Sequence, residues 1–264
     1  MNIFLRELKS NFRSLLIWSG IVILFNVTGF AKFSGYYDNP ELIEVLNSFP
    51  PALLAAFNMN AFNLTTVTGF FGVMFTFFAL LLSIAAAMWG SDIISKEERD
   101  KTVEFSLALP IPRSRLITAK TLAALVNCIA LLLVAWGISL VSVAQYSPDS
   151  DFYRFLSLGI LSLFIMQIIF LAVGIFLGCA MKQHKRANSI AVSVLLVTYF
   201  LSIVSGLQED LDFLKYFSPF RYFDPAVLLR DSSIDLAYVA LSLGIVVVLF
   251  VGAYATYSRR DLYI

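Results

Sequence analysis

Six stretches of the chain run apolar almost without interruption: 15–31, 67–89, 116–144, 155–181, 190–207 and 236–257. A bilayer span needs about 20 such residues, within a range of about 17–25. Lipid offers no partner to backbone N–H and C=O groups, so each run predicts a helix that satisfies its own backbone. A membrane β-barrel would show short alternating segments instead. The pattern predicts an all-α integral membrane protein: one transmembrane domain, residues 1–264, with six transmembrane helices. The first run has a basic start and is short enough to resemble a signal peptide. No small-x-small cleavage site follows Ala31-Lys32-Phe33, so it is read as a permanent span.

The polar stretches between the runs have distinct characters. In 1–14, Phe4, Leu8 and Phe12 recur every four residues, with Arg6, Lys9 and Arg13 elsewhere on the wheel. This fits an interfacial elbow helix, or simply the start of the first span. In the loop after span one, Asp38-Asn39-Pro40-Glu41 reads as a helix start, followed by Leu42, Ile43, Val45, Leu46 and Phe49 at helical spacing. Pro50-Pro51 breaks that pattern, and 52–57 allows another turn or two. The loop 90–115 is the most charged part of the chain. Its charged half, Lys96 to Lys101, is followed by Val103, Phe105, Leu107 and Leu109, and Pro110 and Pro112 end any helix there. It reads either as a short helix with an apolar surface for docking another protein or as a solvated linker. The loop Lys182-Gln183-His184-Lys185-Arg186 reads as a basic anchor. The last loop, 208–235, is rich in acids and aromatics and reads as an interfacial belt.

Charge sets the orientation. The N-terminal segment, alternate loops and the C-terminal end carry 14 Lys and Arg, against 5 on the other side, while that other side holds 11 of the 18 acids. The positive-inside rule then places both termini and 90–115 in the cytoplasm.

Composition narrows function by exclusion. Of 264 residues, 59% are hydrophobic and only 14% charged, too little polar surface for a soluble globule. Net charge is +1, which argues against a nucleic-acid partner. Cys128 and Cys179 lie in apolar runs, and His184 is the single histidine, so no Cys/His metal spacing or His-containing triad exists. There is no G-x-x-x-x-G-K-[ST] loop, no G-x-S-x-G and no H-E-x-x-H. No ionisable residue sits mid-span, which counts against an ion-coupled transporter. Lys120, near the inner end of span three, is expected to snorkel. Asn26, Asn127, Gln167 and Thr198 are expected to make interhelical hydrogen bonds. Gly174 with Gly178, and Ala240 with Gly244 and Gly252, give small-xxx-small pairs for close helix packing. Phe70, Phe71, Phe75, Phe77 and Phe78 suit either packing and lipid contact or an amphipathic substrate.

Residues 90–120 resemble the permease subunits of type-2 ABC exporters. Their first inner loop reads as an acid, then Gly-Thr-x-Glu, apolar residues, Pro-x-Ser-Arg and a later Lys. The match here is Glu98, Thr102, Val103, Glu104, Phe105, Leu107, Leu109, Pro110, Ile111, Arg113 and Lys120, with Lys101 in place of the usual Gly and Pro112 in place of Ser or Thr. Phe49-Pro50-Pro51-Ala52-Leu53-Leu54, Ser218-Pro219-Phe220-Arg221-Tyr222-Phe223 and Ser258-Arg259-Arg260-Asp261-Leu262 also resemble family segments. The resemblance implies a coupling helix between spans two and three that sits in a groove on an ATPase subunit. Its coupling residues would be Glu98, Thr102, Val103, Glu104, Phe105, Leu107, Pro110 and Arg113. It further implies two such permeases, as homo- or heterodimer, with two separately encoded ABC ATPases that carry ATP and Mg, in a bacterial plasma membrane. The chain itself is then not an enzyme and holds no cofactor. Two other readings stand beside it: an ABC-linked sensor or scaffold, and a membrane-embedded transferase.

Overall fold

The computed structural model describes residues 3–39, 62–99, 112–181, 183–207 and 209–259, with 41, 45, 48–50, 53, 54 and 59 between the first two stretches. Every regular element among them is helical: α1 Ile3–Phe33, α2 Val67–Arg99, α3 Arg113–Val143, α4 Ser150–Ala180, α5 His184–Leu207, α6 Pro219–Tyr222, α7 Pro225–Asp231 and α8 Leu236–Ser258. Short 3-10 turns, Ala144–Tyr146 and Glu209–Phe217, follow α3 and α5. Six of the helices are long and apolar enough to cross a membrane.

Two helices outrun their apolar stretches. α1 takes in the amphipathic N-terminal segment without a break. Its 31 residues span about 46 Å at 1.5 Å each, more than the roughly 30 Å hydrocarbon core. The segment therefore stands at or beyond the interface as the first turns of α1, and not as a separate element. α2 continues through 90–99, where the sequence pattern predicted loop. No proline interrupts this stretch, and Ser91 and Lys96 find partners on neighbouring helices. The short helices expected around 42–49 and 52–57 fall largely outside the described residues.

Helix starts follow local chemistry. Asp149, Asp224 and Asp235 cap α4, α7 and α8, each carboxylate accepting from a backbone N–H two or three residues on at 2.8–2.9 Å. Pro112, with φ −65° and ψ 146°, precedes α3 and fixes where it begins.

The core is built on α2, whose apolar window is 72% buried, against 17% for α1, α5 and α8. α2 and α4 run parallel in a constant register of 84 residues. The rings of Phe71 and Phe155 lie 6.0 Å apart, Phe75 covers Gly159, and Gly90 meets Gly174. α1 runs antiparallel to α2, with Phe33 stacked on Phe70 at 4.7 Å and Phe25 edge-on to Phe78 at 5.7 Å. The phenylalanines of α2 thus mostly pack inward, with Phe71, Phe75 and Phe78 almost fully buried. Outward faces of α1, α5 and α8 carry Leu24, Phe200, Val248 and similar residues, exposed on this chain and matched to an apolar solvent.

Candidate functional site

The resemblance points to the segment joining α2 to α3. Thr102, Val103, Glu104, Phe105, Leu107 and Pro110 lie outside the described residues, as does the side chain of Glu98, whose backbone forms the last turn of α2. What the structure describes is the frame that holds both ends of this segment.

On the α2 side, Lys96 pairs with Glu7 of α1 and donates to Ser10 Oγ at 3.3 Å. Glu7 is 1% exposed and also has Arg6 Nη2 at 3.6 Å from Oε1. A carboxylate this buried is tolerable only beside cations, and it has two. Two turns higher, Trp89 Nε1–H donates to Ser14 Oγ at 2.9 Å. The start of α1 and the end of α2 are therefore bound by polar contacts over about three turns.

On the α3 side, Lys120 is buried at 1% exposure and its Nζ donates to the Ile93 carbonyl at 2.9 Å. This corrects the expectation that it snorkels. The ammonium reaches a backbone acceptor on the neighbouring helix instead of water. Arg113, the first residue of α3, donates through Nη1 to the carbonyls of Tyr257 and Ser258 at 3.3 and 3.4 Å. These are C-terminal carbonyls of α8, the orphan acceptors of a helix end, where a guanidinium is well placed. Thr118 and Tyr254 join the same two helices through their hydroxyls at 2.7 Å.

Beneath the frame, α2 and α4 touch backbone to backbone. A Cβ on Gly90 would lie 2.5 Å from the Leu171 carbonyl oxygen, and one on Gly174 would lie 2.3 Å from that of Ala87. Gly178 faces the Ser91 carbonyl in the same way, at 2.9 Å. Ser91 Oγ also hydrogen-bonds Asn188 Oδ1 of α5 at 3.2 Å. Of the small-residue pairs seen in the sequence, Gly174 with Gly178 is a helix contact. Gly244 has no atom within 4 Å, and Gly252 meets the Phe176 ring.

The neutral polar residues of the spans divide. Asn26 bridges α1 to α3, donating to Ser139 Oγ at 3.4 Å and accepting from Ser142 Oγ at 2.5 Å. Thr198 bonds its own helix, at the Leu195 carbonyl, while its carbonyl accepts from Ser218. The 84-residue register puts Ser83 opposite Gln167, both fully buried, and neither side chain has a hydrogen-bond partner among the described residues. Nδ2 of Asn127 is likewise unpartnered.

Sequence reasoning missed the contacts of Glu7, Lys96 and Gly90. One signal for Glu7 was available: it is the single acid in the first fourteen residues, on a helix whose other charges are basic.

Six helices long and apolar enough to cross a membrane, with the joint between α2 and α3 tied by charged side chains to α1, α2 and α8, make a polytopic helical bundle. The model of the ABC-2 family transporter proteins matches residues 1–262, and the chain belongs to that family. Among curated proteins none matches the sequence. Family membership makes the chain a multi-pass membrane component of an ABC-type transporter, a non-catalytic part that associates with an ABC ATPase.

Proposed function

We propose that the chain is the permease subunit of an ATP-driven exporter, with ATP and Mg held by two separate ATPase subunits and a second permease completing the pore. Both termini and the α2–α3 segment face the cytoplasm of a bacterial cell. Glu98, Thr102, Val103, Glu104, Phe105, Leu107, Pro110 and Arg113 form or flank the coupling element. The observation that carries this reading is the set of ties around that element. Glu7–Lys96 links the end of α2 to α1, Lys120 links α3 to α2, and Arg113 links α3 to α8. A push on the segment as the ATPase dimer closes therefore reaches α1, α2, α3 and α8 together. The helices then re-pack as rigid bodies between inward- and outward-facing arrangements.

The test is a pull-down and a coupled ATPase assay with the partner ATPase. The chain alone should turn over no ATP. Phe105→Ala should weaken capture about 30-fold or abolish coupling, the effect of removing a buried aromatic anchor worth about 2 kcal/mol. Glu104→Ala should do less, as a rim charge does, and Glu97→Ala almost nothing. Full complex formation and full coupling in Phe105→Ala would reduce the segment to a linker.

A further inference from the structure

At the end of the bundle away from the termini, the turn Glu209–Phe217, α6, α7 and the start of α8 enclose a cavity of about 450 Å3. That volume lies within the usual range for small-molecule sites. One wall is aromatic: Tyr222 and Tyr238 stack with ring centroids 5.1 Å apart and planes 7° from parallel. Tyr222 is further fixed by its hydroxyl, which donates to the Tyr216 carbonyl. Burial, with Tyr238 beside it, pushes that hydroxyl up to about 12, so it stays a neutral donor. Val227 and Leu228 supply an apolar side, Val227 being 40% exposed.

Five charged side chains line the cavity, and Lys215 is one of them, its ammonium 5.4 Å from the centroid of the Tyr216 ring. Asp224 gives Oδ1 to the Ala226 N–H at 2.9 Å and Oδ2 to Arg221. Asp231 is paired with Arg230 at 2.8 Å, and that guanidinium holds its carboxyl below the usual range. Asp235 gives Oδ1 to the Ala237 N–H at 2.8 Å and has no cation beside it among the described residues. Its second oxygen is left for a ligand. The lining holds three carboxylates, Asp224, Asp231 and Asp235, against two cations, so the local field also favours a cation. The rim is braced by Arg154 of α4, whose Nη2 donates to the Ser232 carbonyl at 3.1 Å. The cavity is thus preformed.

We propose that this cavity binds the ammonium group of a membrane amphiphile, with Asp235 as counter-ion, the Tyr222–Tyr238 stack as a cation–π wall and Val227 and Leu228 against the start of the acyl chain. Carboxylate plus aromatic faces is the combination that suits a weakly hydrated ammonium. Of the two lining cations, Arg221 is paired with Asp224 and Lys215 lies over the Tyr216 ring, which disfavours an anion. The site belongs to this chain alone, so its test needs neither an ATPase partner nor transport. Failure of the permease reading would leave it standing, and the reverse also holds.

The experiment is scintillation-proximity binding of radiolabelled tetradecyltrimethylammonium to the purified full chain in a neutral maltoside detergent. Saturable binding is expected, with little competition from tetradecyl sulfate. Asp235→Asn keeps the α8 cap, since Asn caps as well as Asp, and removes only the charge. It should weaken binding about tenfold, as should Tyr238→Leu. Asp231→Asn should change affinity at most about twofold, because Arg230 already occupies that carboxylate. Wild-type affinity in Asp235→Asn, or equal competition by tetradecyl sulfate, overturns the proposal. Competition by tetramethylammonium at the same concentration as the long-chain probe would assign the site to a soluble ammonium compound and overturn the amphiphile.

Discussion

Glu7 and Lys96 show how one pair of side chains decides where a helix stops. Read as a string, Lys96 belongs to a solvated loop and Glu7 to an amphipathic surface segment. In three dimensions they neutralise each other at 1% and 8% exposure, and the pairing lets α2 continue as helix to Arg99. Removing one member of a buried ion pair leaves the other charge without compensation, at a cost of about 3 kcal/mol. Replacing both with apolar residues of similar size costs far less. We therefore expect Lys96→Ala or Glu7→Ala to lower the thermal midpoint of the detergent-solubilised chain markedly. The double variant Glu7→Leu, Lys96→Met should recover most of the loss. Equal midpoints for the single and double variants would mean that the pair is not coupled, contrary to its geometry. The opposite case is Lys120, which sequence alone sends to the interface because nothing in a linear reading reveals that the Ile93 carbonyl lies 2.9 Å from its ammonium.

For the helices as units, the six spans were legible because lipid imposes one rule on every apolar run, and hydropathy reports it directly. Helix ends and helix partners were not legible, since they depend on contacts between distant residues. The small-residue pairs make this concrete. Gly174-xxx-Gly178 and Ala240-xxx-Gly244 look alike in sequence, yet the first is a backbone contact with Gly90 on α2 and the second faces away from the chain. The two should respond differently to the same change. In Gly174→Ala the new methyl would sit 2.3 Å from the Ala87 carbonyl oxygen, and backbone cannot yield as a side chain can. α2 and α4 must separate, at an overpacking cost of about 1–3 kcal/mol. Gly244→Ala meets nothing within 4 Å and should leave the midpoint unchanged or slightly raised. Paired melting curves check this, and equal destabilisation by both would contradict the parallel register of α2 and α4. The same register bears on the helix that leads into the candidate coupling segment. The Gly90–Gly174 crossing fixes α2 just before its final turns, so the residues beyond it are carried by a helix already clamped to α4.

On the scale of the whole molecule, the ties at one end of the bundle turn a charge count into a statement about sidedness. Glu7–Lys96 joins the start of α1 to the end of α2, and Arg113 joins the start of α3 to the end of α8. The helix ends that carry most of the 14 basic residues therefore converge in space, and 208–235 with its six acids lies at the other end. The positive-inside rule predicts that the tied end is the cytoplasmic one. Single-cysteine labelling tests this in a background where the buried Cys128 and Cys179 are replaced by alanine. The probe positions must be exposed. Arg115 and Ser233 qualify, one at each end, whereas Ser95 is 1% exposed and would label slowly from either side. An impermeant maleimide should react with Ser233→Cys in intact cells, and with Arg115→Cys only after permeabilisation. Reversed labelling would place residues 100–111 outside the cell, beyond reach of any subunit that hydrolyses ATP. The coupling role of that segment would then fall, whatever its resemblance in sequence.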